Sequence, residues 1–137
     1  MSVMENRASP EDVATILARV LAESRLRRIP RHPGHREIVL GILCRGLKRR
    51  YPYSEPELKA HLEVELAKMN ASVDHVTCRR YLVDLGFVKR DRAGTRHFLN
   101  YPKLEATLSE AAMESAGDLV SKALLTARGR SRKSQDD

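Results

Sequence analysis

A chain of 137 residues with 42% hydrophobic positions can bury the core of one compact domain with appendages. Aromatics make up only 4% and Trp is absent, so that core must be mostly aliphatic, and no apolar run approaches the ~18 residues of a membrane span. The net charge of +7 is concentrated, since residues 25–103 hold 18 Lys/Arg against 8 Asp/Glu, and such a module points to phosphate polymers or anionic surfaces.

The first eight residues read as frayed. Ser9-Pro10-Glu11-Asp12 is a helix start, with Ser as N-cap, Pro at N1 and acids in the first turn. The helix is expected to run to about Arg28, with Val13, Ile16, Leu17, Val20 and Leu21 on one stripe. The segment 29–34 has two prolines and a glycine and reads as a breaker. A second, apolar helix over 36–51 should bury Ile38, Val39, Ile42, Leu43 and Leu47. Gly41 and Gly46 weaken it locally and imply the close approach of another helix.

Tyr51-Pro52-Tyr53 reads as a linker. Ser54 and Glu57 form a capping box for a helix that buries Leu58, Leu62, Leu66 and Met69. Residues 70–73 are a turn, and Asp74, or Ser72 before it, caps the next helix, which Gly86 closes. Residues 87–90 read as a strand, 91–94 as a turn and 95–101 as the return strand. Leu104 to about Arg128 is helical, with Gly117 as a candidate break, and 128–137 reads as a disordered basic tail.

This order predicts a mostly α protein with a small β-hairpin. Its core, residues 29–102, reads as a winged helix-turn-helix, flanked by amphipathic helices over 1–28 and 103–127. A helix that fits a groove, beside a basic ribbon, suits duplex recognition. The candidate nucleic-acid contacts are His75, Thr77, Arg79 and Arg80 on the 74–85 helix and Lys89, Arg90, Arg92 and Arg96 on the 87–101 wing. On a helical wheel Cys78, Leu82 and Leu85 share the core face, with Tyr81 at its edge. Arg80 lies almost opposite Cys78, and it can also pair with Asp84 one turn on or reach Asp74. Val76 and Val83 put apolar surface on the outer face. Either the wing folds over them or that face meets another protein.

Tyr53-Ser54-Glu55 ahead of a helix, Asp74, Arg79-Arg80, Leu82-Val83-Asp84, Gly86, Arg90 and Gly94 resemble a bacterial family, the domain of unknown function 2087. The resemblance covers about residues 29–101. It implies a winged-helix-like module of small transcriptional regulators, which often stands beside a separate helix-turn-helix domain. This chain departs from the family pattern at Leu58-Lys59, Leu47 and His97-Phe98.

The expected function is therefore DNA binding in transcriptional regulation. The alternatives are a winged helix that docks onto a protein partner and an RNA- or ribosome-associated binder. A homodimer through the flanking helices is an option. No enzyme, cofactor, metal or small-molecule site is expected: there is no Gly-rich phosphate loop, GxSxG or HExxH, and His32-x-x-His35 fits no standard zinc spacing. Cys44 and Cys78 read as small buried hydrophobes in a reducing, cytoplasmic setting, and the N-terminus lacks the features of a signal peptide.

Overall fold

The structure is a computed structural model that describes residues 7–136, with side chains described through Arg130. Helix α1 spans Pro10–Val20 and opens with a full capping box between Ser9 and Asp12. It buries Val13 and Leu17, and Leu21 follows them into the core. It stops well short of Arg28. Ser24 takes a positive φ of 68°, and Leu26 then donates to the Met69 carbonyl at 3.1 Å and accepts from the Ser72 amide at 2.9 Å. These main-chain partners lie in another part of the chain, so residues around Leu26 cannot also bond in the helix.

Helix α2 spans Pro33–Cys44 and begins inside the segment expected to break helices. The ring Nδ1 of His32 accepts from the amides of Gly34 at 3.1 Å and His35 at 3.3 Å. With that cap in place, Pro33 initiates the helix, because its ring presets φ and its missing N–H costs nothing at N1. All seven residues from Ile38 to Cys44 are buried. Gly41 allows the close approach of Leu108, since a Cβ there would stand 3.2 Å from Leu108 Cδ1. Gly46 has a different role from the one expected: it lies beyond the helix at φ +91°, where the chain turns back and still buries Leu47.

Strand β1 is only Tyr53–Ser54 and leads directly into α3, Glu55–Lys68. Ser54 and Glu57 cap α3 reciprocally, as the sequence predicts. Leu58, Leu62, Leu66 and Met69 are all buried, together with Glu65, which pairs with Lys68 at 2.9 Å and Arg45 at 3.4 Å. Asn70 closes α3 in the left-handed region at φ 51°, while the Ala71 amide bonds back to the Leu66 carbonyl at 3.0 Å. Helix α4, His75–Asp84, is capped by Asp74, whose carboxylate accepts from the Thr77 amide at 2.7 Å. Cys78 and Leu82 are fully buried, and α4 packs on α3 and α2.

Strands β2, Val88–Arg90, and β3, Arg96–Leu99, form the hairpin. The linker reading of Tyr53 is corrected here: β1 pairs with β3, making a three-stranded antiparallel sheet in the order β1-β3-β2. Two residues carry no periodic signal, so this strand exists only through its partner. Asn100 ties the sheet to the end of α4, its side chain donating to the Gly86 carbonyl at 2.7 Å.

Helix α5, Tyr101–Thr107, packs on α2, and α6, Glu110–Asp136, packs on α1. The chain breaks at Leu108-Ser109, not at Gly117. There Ala8 forms a parallel bridge with Leu108, donating to Thr107 O and accepting from Ser109 N, each at 2.9 Å. Ala8 is thus pinned and buried, while residues 1–6 of the stretch expected to fray lie outside the described residues. Helix α6 passes through Gly117, on which the Arg45 guanidinium packs, and continues beyond residue 128 to Asp136 where a polar tail was expected. No Pro interrupts 110–136, and the basic residues near its end suit the negative pole of the helix. No helix among the described residues is long and apolar enough to cross a membrane.

Leu82 is the contact point of α4 with the core. Leu82→Ala should cost about 2–5 kcal/mol in urea unfolding, because the site lies within a closed helix cluster that cannot collapse freely. A midpoint that hardly moves would show that α4 does not rely on this face.

Candidate nucleic-acid interface

The turn between α3 and α4 is braced from both sides. Leu26 bonds to Met69 and Ser72 through its main chain, and the Asn70 side chain donates to the Ser24 carbonyl at 3.1 Å. Asp74 then anchors the first turn of α4, and the amide it caps holds its carboxyl below the usual carboxylate range. His75 is half-buried, whereas Thr77 and Arg80 are exposed along the outer face. Val76 is 43% exposed and Val83 is half-buried, and both line the cleft between α4 and the hairpin.

The hairpin is set by Asp91. Its carboxylate accepts from the amides of Thr95 at 2.9 Å and Arg96 at 3.2 Å, and the Gly94 amide bonds to its carbonyl at 3.0 Å. The Arg96 amide is the largest cause of the lowered Asp91 carboxyl pKa. Arg92 is thereby carried at the exposed tip of the turn. The pleat sorts the other basic residues. Val88 pairs with Leu99 and Arg90 with His97, so these four share one face of the sheet. Lys89, Phe98 and Arg96 take the opposite face. The wing therefore presents Arg90 towards α4, while Lys89 and Arg96 lie on its far side.

An open cleft of about 390 Å³ runs between α4 and the wing, lined by Arg79, Arg80, Asp84 and Arg90 with His97 and Glu55. The sequence reading left Arg79 free to reach a partner. In the structure it is half-buried and its guanidinium donates to Glu55, the first residue of α3. Arg79 lowers the Glu55 carboxyl pKa through this hydrogen bond and its charge. The pairing of Arg80 with Asp84 or Asp74 does not form: among the described residues no carboxylate lies within ion-pair distance of Arg80 or Arg90.

His97 carries no sequence signal of a site residue. It is buried, and its Nδ1 has no hydrogen-bond partner. Burial lowers its pKa first, and the charges of Arg79 and Arg90 lower it further. Only the strand register could have singled it out, because it pairs with both Tyr53 and Arg90. A second omission is Lys48-Arg49-Arg50, an exposed basic loop ahead of β1. Ser54 stands opposite Arg96, so this loop extends the basic surface of the sheet. Arg49 packs over the Tyr101 ring at 4.1 Å and is fixed by that contact.

Comparison with known families matches residues 25–98 to the family described as "Uncharacterized protein conserved in bacteria (DUF2087)". The chain belongs to this family. The match covers α2 through most of β3, and therefore the braced turn, α4 and the wing together. No match was found among the curated proteins or the solved structures. The remaining histidines near this module have structural partners: His32 caps α2 and stacks on His35 at 4.2 Å, and His61 Nε2 lies 2.9 Å from the Leu43 carbonyl. Cys44 and Cys78 are free and buried, and burial raises both thiol pKa values, that of Cys78 to about 12.

The lowered His97 pKa has a consequence for pH. An unfolded imidazole protonates near ~6.5, above the folded value, so acid favours the unfolded state. His97 contributes its full stability above pH ~6.5 and loses it as pH falls towards the folded value. Urea unfolding of the wild type and His97→Gln at several pH values from 7.5 to 5 should show a shallower acid loss in the variant. Parallel curves would remove His97 from this role.

Proposed function

We propose that this family member is a winged-helix DNA-binding protein that acts in transcriptional regulation. The reading rests above all on one observation. Exposed Arg80, Lys89, Arg90, Arg92 and Arg96 come from two adjacent elements, with Arg80 and Arg90 lining the cleft between them and Arg92, Lys89 and Arg96 on the tip and far face of the hairpin. In this reading α4 enters the major groove with Thr77 and Arg80 leading, and His75 stands at its N-terminal end. Arg92 at the tip, with Lys89 and Arg96 on the far face, holds phosphates of the adjacent backbone. The exposed loop 48–50 adds cationic surface beside β1. Arg79 is a weaker candidate for a base contact than Arg80, because its guanidinium is already occupied. Val76, 43% exposed on the same face, supports the second reading, in which this surface docks onto a protein.

Fluorescence anisotropy with a labelled duplex, a single strand and a structured RNA at several salt concentrations tests this function. Binding should be tightest for the duplex. Replacing Arg92 and Arg96 together by Ala should weaken binding alike for all duplex sequences. It should also flatten the slope of log affinity against log salt by about one to two units. Arg80→Ala should instead cost about 1–3 kcal/mol on a preferred site and far less on random duplex. Unchanged affinity and slope in the folded double variant would favour the docking reading, and a preference for structured RNA would favour the ribonucleoprotein one.

A further inference from the structure

The cleft holds an internal anion. Glu55 projects from the first position of α3, its side chain 66% exposed, and neutralises Arg79 across the opening. Arg80 and Arg90 line the same opening without a carboxylate partner. Beneath them lies His97, buried, with an unpartnered Nδ1. Three guanidinium groups face two exposed carboxylates, Glu55 and Asp84, and of the two only Glu55 is ion-paired, so the opening keeps a surplus of donors for an oxyanion. A guanidinium offers a planar fork of donors that matches phosphate oxygens. An exposed ion pair such as Arg79–Glu55 is weak, so a phosphate, with more charge and more acceptor oxygens, can replace it at little cost.

We propose that the cleft between α4 and the wing is a phosphate-binding site, held by Arg79 and Arg90, from which the incoming phosphate displaces Glu55. The inference deepens the duplex reading, since a strand lying between a groove-bound helix and a wing carries its phosphates past this cleft. The chemistry is shared with a small phosphoester, and the test separates the two sources. His97 couples the site to pH. It faces Arg79 of α4, Arg90 of β2, Glu55 of α3 and Asp91 of the turn. Burial and the two arginines keep it neutral in the free cleft. A bound phosphate raises its pKa above the free-cleft value, so binding takes up protons and tightens as pH falls towards that value.

The test uses the full chain and inorganic phosphate, with NMR of the His97 imidazole and the arginine side chains at pH 6.0 and constant ionic strength. Phosphate should shift the His97, Arg79 and Arg90 signals saturably, and chloride should not. Glu55→Gln should tighten phosphate roughly two- to fivefold by removing the competitor, and Arg90→Ala should loosen it by at least as much. If a strand phosphate is the natural occupant, Glu55→Gln tightens the duplex by a similar factor. Saturable phosphate binding without duplex affinity supports the site, assigns it to a small phosphoester and rejects the duplex reading. Duplex binding with no phosphate response, or with one that chloride reproduces, leaves the duplex reading standing and overturns this one. An unchanged phosphate affinity in folded Glu55→Gln also overturns it.

Discussion

The structure depends on a helix whose second half is apolar and buried all the way round. Over Ile38–Cys44 every residue of α2 is buried, and α1, α3, α4 and α5 pack against it. A helix with no polar face can be stable only at the centre of others. Each neighbour then needs to supply a single apolar stripe. In α4 only Cys78 and Leu82 are fully buried, which leaves the rest of its surface, Val76 included, outside the core. The outward face of α4 is thus a direct consequence of how much of the burial α2 takes on itself.

Main-chain bonds then fix how α3 and α4 meet. Leu26 accepts and donates across the turn, and Asn70 in the left-handed region supplies the change of direction. At the other end of α4 the Asn100 side chain holds the Gly86 carbonyl, and the Asn100 amide bonds to Phe87 O at 2.8 Å. The helix and the wing are therefore tied at their shared root. Asp91 sets the far end of the wing through amides of its own turn. With both ends held, the cleft between them has a defined width.

Electrostatics within that cleft are not a sum of formal charges. Arg79 and Glu55 largely cancel, while Arg80 and Arg90 stand without acidic partners. Asp74 and Asp91 accept from backbone amides, which favours their charged forms and spends those carboxylates on the turns they cap. The net basicity of the module is carried by fewer groups than the sequence counts, and those groups lie at the exposed edges.

Local features were legible in the sequence wherever a few neighbouring residues decide the outcome. The Ser9 cap, the capping box at Ser54, the Asp74 cap, the stripe of Leu58, Leu62 and Leu66, and the hairpin turn at Asp91–Gly94 all depend on contacts within a few positions. The basic residues of the wing and their alternation follow from the period of a strand. The outcomes that sequence could not supply all depend on partners far along the chain. The end of α1 is set by Met69 and Ser72, strand β1 exists through Arg96 and His97, and the break before α6 is made by Ala8. The pairing of Arg79 with Glu55, 24 residues apart, and the burial of His97 beneath it belong to the same class. Short-range hydrogen bonds are encoded where they form, but a side chain's partner across the fold is chosen by packing, and only the tertiary structure decided which arginines were left free.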